Sequence, residues 1–214
     1  MEKKEIDNPN HVFHFLALGD SYTIGEAVDA DQRWPIQLQD RLVSDSINVK
    51  TKIIATTGWT TDELKKGITI ADDLKKKYDL VSLLIGVNNQ YRGYDEDQYE
   101  KEFKELLHQA IDFAGGNPHH VFVISIPDYG VTPFAAEKNL DADKIKHELD
   151  SYNAIAEKIS ILSDVKFFNI TPDSRNAATD STLIATDGLH PSGKMYQEWV
   201  DAIYEHVFSS LSSR

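Results

Sequence analysis

The feature that most constrains this chain is a set of five apolar runs of strand length, at residues 12–18, 49–55, 80–85, 121–126 and 165–170. Most are continuous rather than alternating, the pattern of strands buried on both faces in a parallel sheet covered by helices. The segments between them have helical spacing. Tyr99, Phe103, Leu106, Leu107, Ala110, Ile111 and Ala114 recur every three or four residues, as do Ile145, Leu149, Tyr152, Ile155, Ile159 and Leu162, so each segment offers one apolar stripe to a sheet. Thr60 followed by Glu63 has the form of a capping box and predicts a helix start just after Gly58. A last helix, with Met195, Trp199, Ile203 and Val207 on one face, is predicted after Pro191 and Ser192. Alternation of strand and helix along the chain predicts an α/β fold: a three-layer α/β/α sandwich on a mainly parallel five-stranded sheet with right-handed crossovers. In such sheets ligands sit beyond the carboxyl ends of the strands, so the polar residues that close the apolar runs are the candidates for chemistry.

At 214 residues and 41% hydrophobic content the chain suits one domain spanning residues 1–214, with residues 1–11 as an N-terminal tail. A net charge of −13 without any lysine- or arginine-rich block argues against nucleic acid and anionic bilayers as partners. The absence of cysteine excludes thiolate nucleophiles, thiolate metal sites and disulfides. No apolar stretch of signal-peptide length precedes the first strand and no long uninterrupted apolar run follows. The expectation is therefore a cytoplasmic protein without stable membrane insertion; its oligomeric state is left open. The phosphate-loop, dinucleotide, H-E-x-x-H and G-x-S-x-G signatures are all missing. His119 and His120 adjoin just ahead of a strand, where neighbouring side chains point to opposite faces, so no metal site is expected there.

Four segments at strand or helix boundaries carry reactive or donor groups. Ser21 follows the first run, Gly58 the second and Asn88 the third, in "LLIGVNN"; "DGLHPSG" places Asp187 three residues before His190, ahead of the last helix. Acyl transfer needs a nucleophile, a base, a carboxylate to orient the base, and donors for the oxyanion, and this set supplies every part. Asp20, beside the serine, reads as a turn residue rather than a second base.

"GDSYT" at 19–23, the later Gly58, "GVN" at 86–88 and "DGLHP" at 187–191, in that order over nearly the whole chain, closely resemble the motifs of the GDSL or SGNH hydrolase superfamily. The resemblance implies that superfamily's flavodoxin-like sandwich. It implies Ser21 as nucleophile, His190 as general base and Asp187 as the carboxylate that fixes its tautomer. It also implies an oxyanion hole from the backbone N–H groups of Ser21 and Gly58 and the side-chain amide of Asn88, with no metal and no organic cofactor. "RWPIQL" at 33–38 and "SIPDYG" at 125–130 resemble stretches of bacterial esterase and lysophospholipase-like members. Two departures stand out: Asn89 where many members have aspartate, and "IIATTG" without the asparagine often found before the block-two glycine.

Trp34, Trp59, Tyr91, Arg92, Tyr129 and Phe134 fall near strand ends and are candidates to line an acyl or alcohol pocket, Arg92 as a cation for an anionic substrate. The irregular-looking stretch at 128–143, "DYGVTPFAAEKNLDAD", is a candidate cover over the site or a surface connection. The expected substrate is a small-molecule ester with a small acyl group. A carbohydrate O-deacetylase and a lysophospholipase or thioesterase use the same machinery, and a flavodoxin-like binding module is the rival outside enzymes.

Overall fold

The computed structural model describes residues 11–212; the expected N-terminal tail lies outside the described residues except for His11. The five apolar runs form β1 (Phe13–Gly19), β2 (Val49–Ala55), β3 (Leu80–Leu84), β4 (Val121–Ile124) and β5 (Lys166–Phe168). They make one sheet in the order β2-β1-β3-β4-β5, every pairing parallel. The three inner strands are the continuous apolar ones: Phe15, Leu16, Ala17 and Leu18 of β1 have no exposure, and β3 and β4 are buried along their length. The edge strands are more polar. β2 carries Lys50, Thr51 and Lys52, and Lys166 of β5 is exposed, which suits rows that face solvent. β5 spans only three residues of the expected 165–170, and β4 stops two residues short of Ile126.

Nine helices occur among the described residues: α1 (Ser21–Ile24), α2 (Trp34–Ser44), α3 (Thr61–Ile70), α4 (Val87–Tyr91), α5 (Glu96–Phe113), α6 (Pro133–Glu137), α7 (Ala142–Leu162), α8 (Thr171–Ser174) and α9 (Gly193–Ser212). Right-handed crossovers distribute the long ones. The chain steps one way from β1 to β2 and the other way from β2 to β3, β4 and β5. The helix after β1 therefore lies on one face and those after β2, β3 and β4 on the other. In agreement, α2 packs against α9, and α5 packs against both α3 and α7. The stripes read from the sequence are the buried ones, with Tyr99, Phe103, Leu106 and Leu107 of α5 and Trp199, Ile203 and Val207 of α9 essentially inaccessible. Leu162, the last member of its stripe, is exposed because α7 ends there.

The direction reverses between β1 and β3, so the connections leaving their carboxyl ends splay apart and open a crevice. Ser21 leaves β1 and Asn88 leaves β3 at that crevice. Gly19 closes β1 because nothing larger fits: a Cβ there would meet Thr23 Oγ1 at 2.1 Å and the Leu84 carbonyl oxygen at 2.5 Å.

The stretch at 128–143 is more regular than its composition suggests. Asp128 caps a 3-10 turn at Tyr129–Val131, Thr132 caps α6 with Pro133 in its first turn, and Asp141 caps α7. No described helix is long and apolar enough to cross a membrane.

Candidate active site

The turn that presents Ser21 is built by its neighbours. Asp20 accepts from the Tyr22 N–H through Oδ1 (3.0 Å), and its carbonyl accepts from Thr23 and Ile24 (3.0 and 2.9 Å), so the chain leaves β1 directly into helical geometry with Ser21 as the first residue of α1. Gly25, at φ +72°, ends that single turn and returns its N–H to the Ser21 carbonyl. Asp20 has no exposure, and its Oδ2 has no partner among the described residues. Burial drives its carboxyl up to about 7, against the opposing pull of the Tyr22 N–H.

Asp187 and His190 meet within one short turn. Asp187 Oδ1 accepts from the N–H groups of Leu189 and His190 (both 3.0 Å), while Oδ2 lies 2.5 Å from His190 Nδ1. Burial alone would raise the Asp187 carboxyl, but the His190 ring and the two backbone N–H groups outweigh it and hold it below the usual carboxylate range. A charged Asp187 selects the imidazole tautomer with its proton on Nδ1, leaving the lone pair on Nε2. The turn is pinned at both ends: Ala185 N–H donates to the His190 carbonyl (2.8 Å), and the Gly188 carbonyl accepts from Phe134 N–H (2.9 Å). The Tyr22 ring stands edge-on to the imidazole, with centroids 5.7 Å apart.

Opposite them, residues 58–61 run beside α4. Asn88 Nδ2 donates to the Trp59 carbonyl (3.0 Å), which uses one of its two protons and fixes the direction of the other. Asn89 is fully buried; its Oδ1 accepts from Thr61 N–H (3.0 Å) and its Nδ2 donates to Thr61 Oγ1 (2.7 Å). The Thr61 hydroxyl in turn donates to Glu102. An aspartate at 89 would have no proton for Thr61 and would bring a second carboxylate near Glu102. The departure from the family pattern is thus matched by its surroundings.

A cavity of about 160 Å³ joins these segments, lined by Ser21 and His190, by Gly58 and Asn88, and by Tyr91, Tyr129 and Phe134. Tyr22, Thr57, Val87 and Leu189 complete the lining. The sequence reading did not pick out these four; each adjoins a motif residue, the one signal that would have found them. The 128–143 stretch contributes Tyr129 and Phe134, and the Tyr129 hydroxyl donates to Gln90 Oε1 (2.9 Å), which anchors its ring.

Three candidates are placed elsewhere. Trp34 is a correction: it has no exposure and packs in the core against Phe15 and Phe122, with ring centroids 6.1 and 6.2 Å away, because the first turn of α2 faces the sheet. Trp59 lies against Gly67 of α3 and offers the site only its carbonyl. Arg92 does not line the cavity; its Nη2 donates to the Gly58 carbonyl (2.6 Å) and its Nη1 to Glu63 Oε1 (3.2 Å).

The profile of the GDSL-like Lipase/Acylhydrolase family matches residues 17–198. No curated protein sequence matches the chain significantly. Among solved structures, the lipase/acylhydrolase from Enterococcus faecalis superposes with a TM-score of 0.72 at 15% identity, covering 92% of this chain and 96% of that one. The psychrotrophic esterase EstA from Pseudoalteromonas sp., solved with a monoethylphosphonate inhibitor, gives 0.70 at 16% identity over 92% and 98% of the two chains. Axe2, an acetylxylan esterase from Geobacillus stearothermophilus, gives 0.70 at 18% identity over 91% and 94%. At these identities the likeness is one of fold.

Proposed function

This chain belongs to the GDSL-like lipase/acylhydrolase family, and from that premise we propose that it hydrolyses carboxylic esters of small acyl groups through an acyl-enzyme on Ser21. The observation that carries the reading is that Ser21 and the Asp187-paired His190 line one cavity together with Gly58 and Asn88. His190 Nε2 takes the Ser21 proton as the oxygen attacks the ester carbonyl, and then returns it to the departing alcohol; water repeats the cycle on the acyl-enzyme. Asp187 holds the tautomer and stabilises the imidazolium. The negative oxygen of each tetrahedral intermediate is received by the N–H groups of Ser21 and Gly58 and by the free proton of Asn88 Nδ2.

The small volume favours a short acyl chain, since drug-sized ligands occupy cavities of about 300 Å³ or more. A second reading, O-deacetylation of a carbohydrate, is favoured by Tyr91. Its ring lines the cavity yet remains 51% exposed, so it can meet an alcohol group that projects outward.

Hydrolysis of p-nitrophenyl esters of increasing chain length tests both parts. The expected result is turnover that is highest for acetate, falls with chain length and is lost in Ser21→Ala. Equal activity in the mutant refutes the serine mechanism, a maximum at long chains refutes the small-acyl assignment, and tight ligand binding without turnover favours a binding module.

A further inference from the structure

Residues 58–61 are held by α4 and its C-terminal flank through groups that take no direct part in the proposed reaction. The Gly58 carbonyl accepts from Arg92 Nη2, the Trp59 carbonyl from Asn88 Nδ2, and Thr61 N–H donates to Asn89 Oδ1. Glu63 closes the remaining gap: its Oε2 accepts from Thr60 N–H (2.9 Å) while its Oε1 accepts from Arg92. Arg92 lies one helical turn beyond Asn88, with its own N–H on the Asn88 carbonyl (3.0 Å), so the two side chains reach successive carbonyls from successive turns. The result is a closed ring of hydrogen bonds from Gly58 through Arg92 and Glu63 to Thr60. The N–H of Gly58 takes no part in any of these bonds, and Gly58 faces the cavity.

Gly58 needs this help. It sits at φ +87°, in the region glycine enters freely and also leaves freely, and an added Cβ would meet only Arg92 Nη2, at 3.7 Å. The 58–59 peptide is held on its other side by a single long bond, from Trp59 N–H to the Thr56 carbonyl (3.2 Å). A guanidinium shared between the Gly58 carbonyl and the Glu63 carboxylate adds a stronger restraint on that peptide, because its planar fork fixes two directions at once, and so anchors the unit from which the adjoining 57–58 peptide, with the Gly58 N–H, extends.

We infer that Arg92, braced by Glu63, is a positioning residue that holds the Gly58 N–H toward the cavity as an oxyanion donor, rather than a cation for an anionic substrate. The inference rests on the reading of Gly58 as an oxyanion donor. The Arg92–Glu63 pair is partly exposed and contributes little to stability, so its effect falls on geometry.

The experiment compares Arg92→Ala and Arg92→Lys with the unaltered protein on p-nitrophenyl acetate, with Ser21→Ala as the blank, and follows the Gly58 amide resonance by NMR without substrate. Arg92→Ala is expected to lower kcat by about 10- to 100-fold, at or below the loss of about 10²- to 10³-fold for an oxyanion donor removed outright, since the Gly58 N–H is misplaced and not lost. KM should change less than about threefold on that account, and the acid limb of the pH profile should stay in place, since His190 is untouched. The Gly58 resonance should shift or broaden, and lysine, able to reach the carbonyl without bridging to Glu63, should restore part of kcat. A raised KM with kcat preserved overturns the inference in favour of substrate binding; an unchanged kcat with an unmoved Gly58 resonance overturns it outright. Activity retained by Ser21→Ala would strike at the serine mechanism instead, and the Gly58 resonance in Arg92→Ala would still decide whether the clamp exists.

Discussion

The two walls of the cleft, which meet at α4, are secured by different mixtures of contacts. On one side, residues 58–61 and α4 are joined by directional bonds, from Arg92 to the Gly58 carbonyl, from Asn88 to the Trp59 carbonyl and between Asn89 and Thr61. On the other, Tyr129 and Phe134 meet Tyr91 through ring contacts at 6.0 and 6.4 Å, with the Tyr129 hydroxyl tied to Gln90. Hydrogen bonds weaken steeply when bent or stretched, whereas aromatic pairs persist over centroid separations of about 4.5–7 Å. A developing oxyanion appears in the same place for every ester, while acyl and alcohol groups vary. On the proposed acyl-transfer reading, the wall held by several directional bonds would serve the part of the reaction that never changes, and the aromatic wall the part that does.

Substitutions should separate the two. Ser21→Ala and His190→Ala each remove a group that the proposed reaction needs for every substrate, and kcat should fall by about 10⁴-fold or more with each, read by steady-state hydrolysis of p-nitrophenyl acetate. Asn88→Ala removes one donor from the hydrogen-bonded wall; kcat should drop by about 10²- to 10³-fold with KM little changed. Phe134→Ala alters the aromatic wall. Acetate turnover should stay within about threefold while the preference shifts toward longer acyl chains by several-fold, on the order of one or two methylenes of hydrophobic discrimination. A loss of acetate kcat in Phe134→Ala as large as that in Asn88→Ala would erase the distinction between the walls.

The last expected effect falls on stability rather than turnover and concerns the turn that presents Ser21. Asp20 holds its proton up to about pH 7 in the folded protein, whereas an unfolded aspartate loses it near its ordinary value of 3.8. Between those values the folded state binds more protons, so this group's contribution to stability declines as pH rises through the window. Asp20→Asn keeps an acceptor for the Tyr22 N–H and cannot ionise. Its stability relative to the unaltered protein should therefore grow between pH 4 and pH 8, by an amount on the order of 1–3 kcal/mol, in urea unfolding. A difference that does not change with pH would show that the buried carboxyl carries no such penalty.

Much of this was legible in the sequence because the signals were local. Buried inner strands leave continuous apolar runs, and a chain that turns off such a strand into the cleft leaves a small polar residue just beyond the run, as at Ser21 and Asn88. The placements of Trp34 and Arg92 were not legible. An aromatic residue at a helix start reads the same whether its turn faces the sheet or the cleft, and only the docking of α2 sends Trp34 into the core. The partners of Arg92 lie 29 and 34 residues away in the chain, so its pairing is a consequence of the fold, which brings residues 58–63 beside the end of α4. The caps at Thr132 and Asp141 were available as local signals for helices in the 128–143 stretch.

The most direct test of the central claim is mass spectrometry of the folded protein after exposure to a fluorophosphonate. One phosphonyl group on the peptide containing Ser21, absent from that peptide in His190→Ala, is the predicted result. An unlabelled folded protein, or labelling that persists in Ser21→Ala, would contradict it.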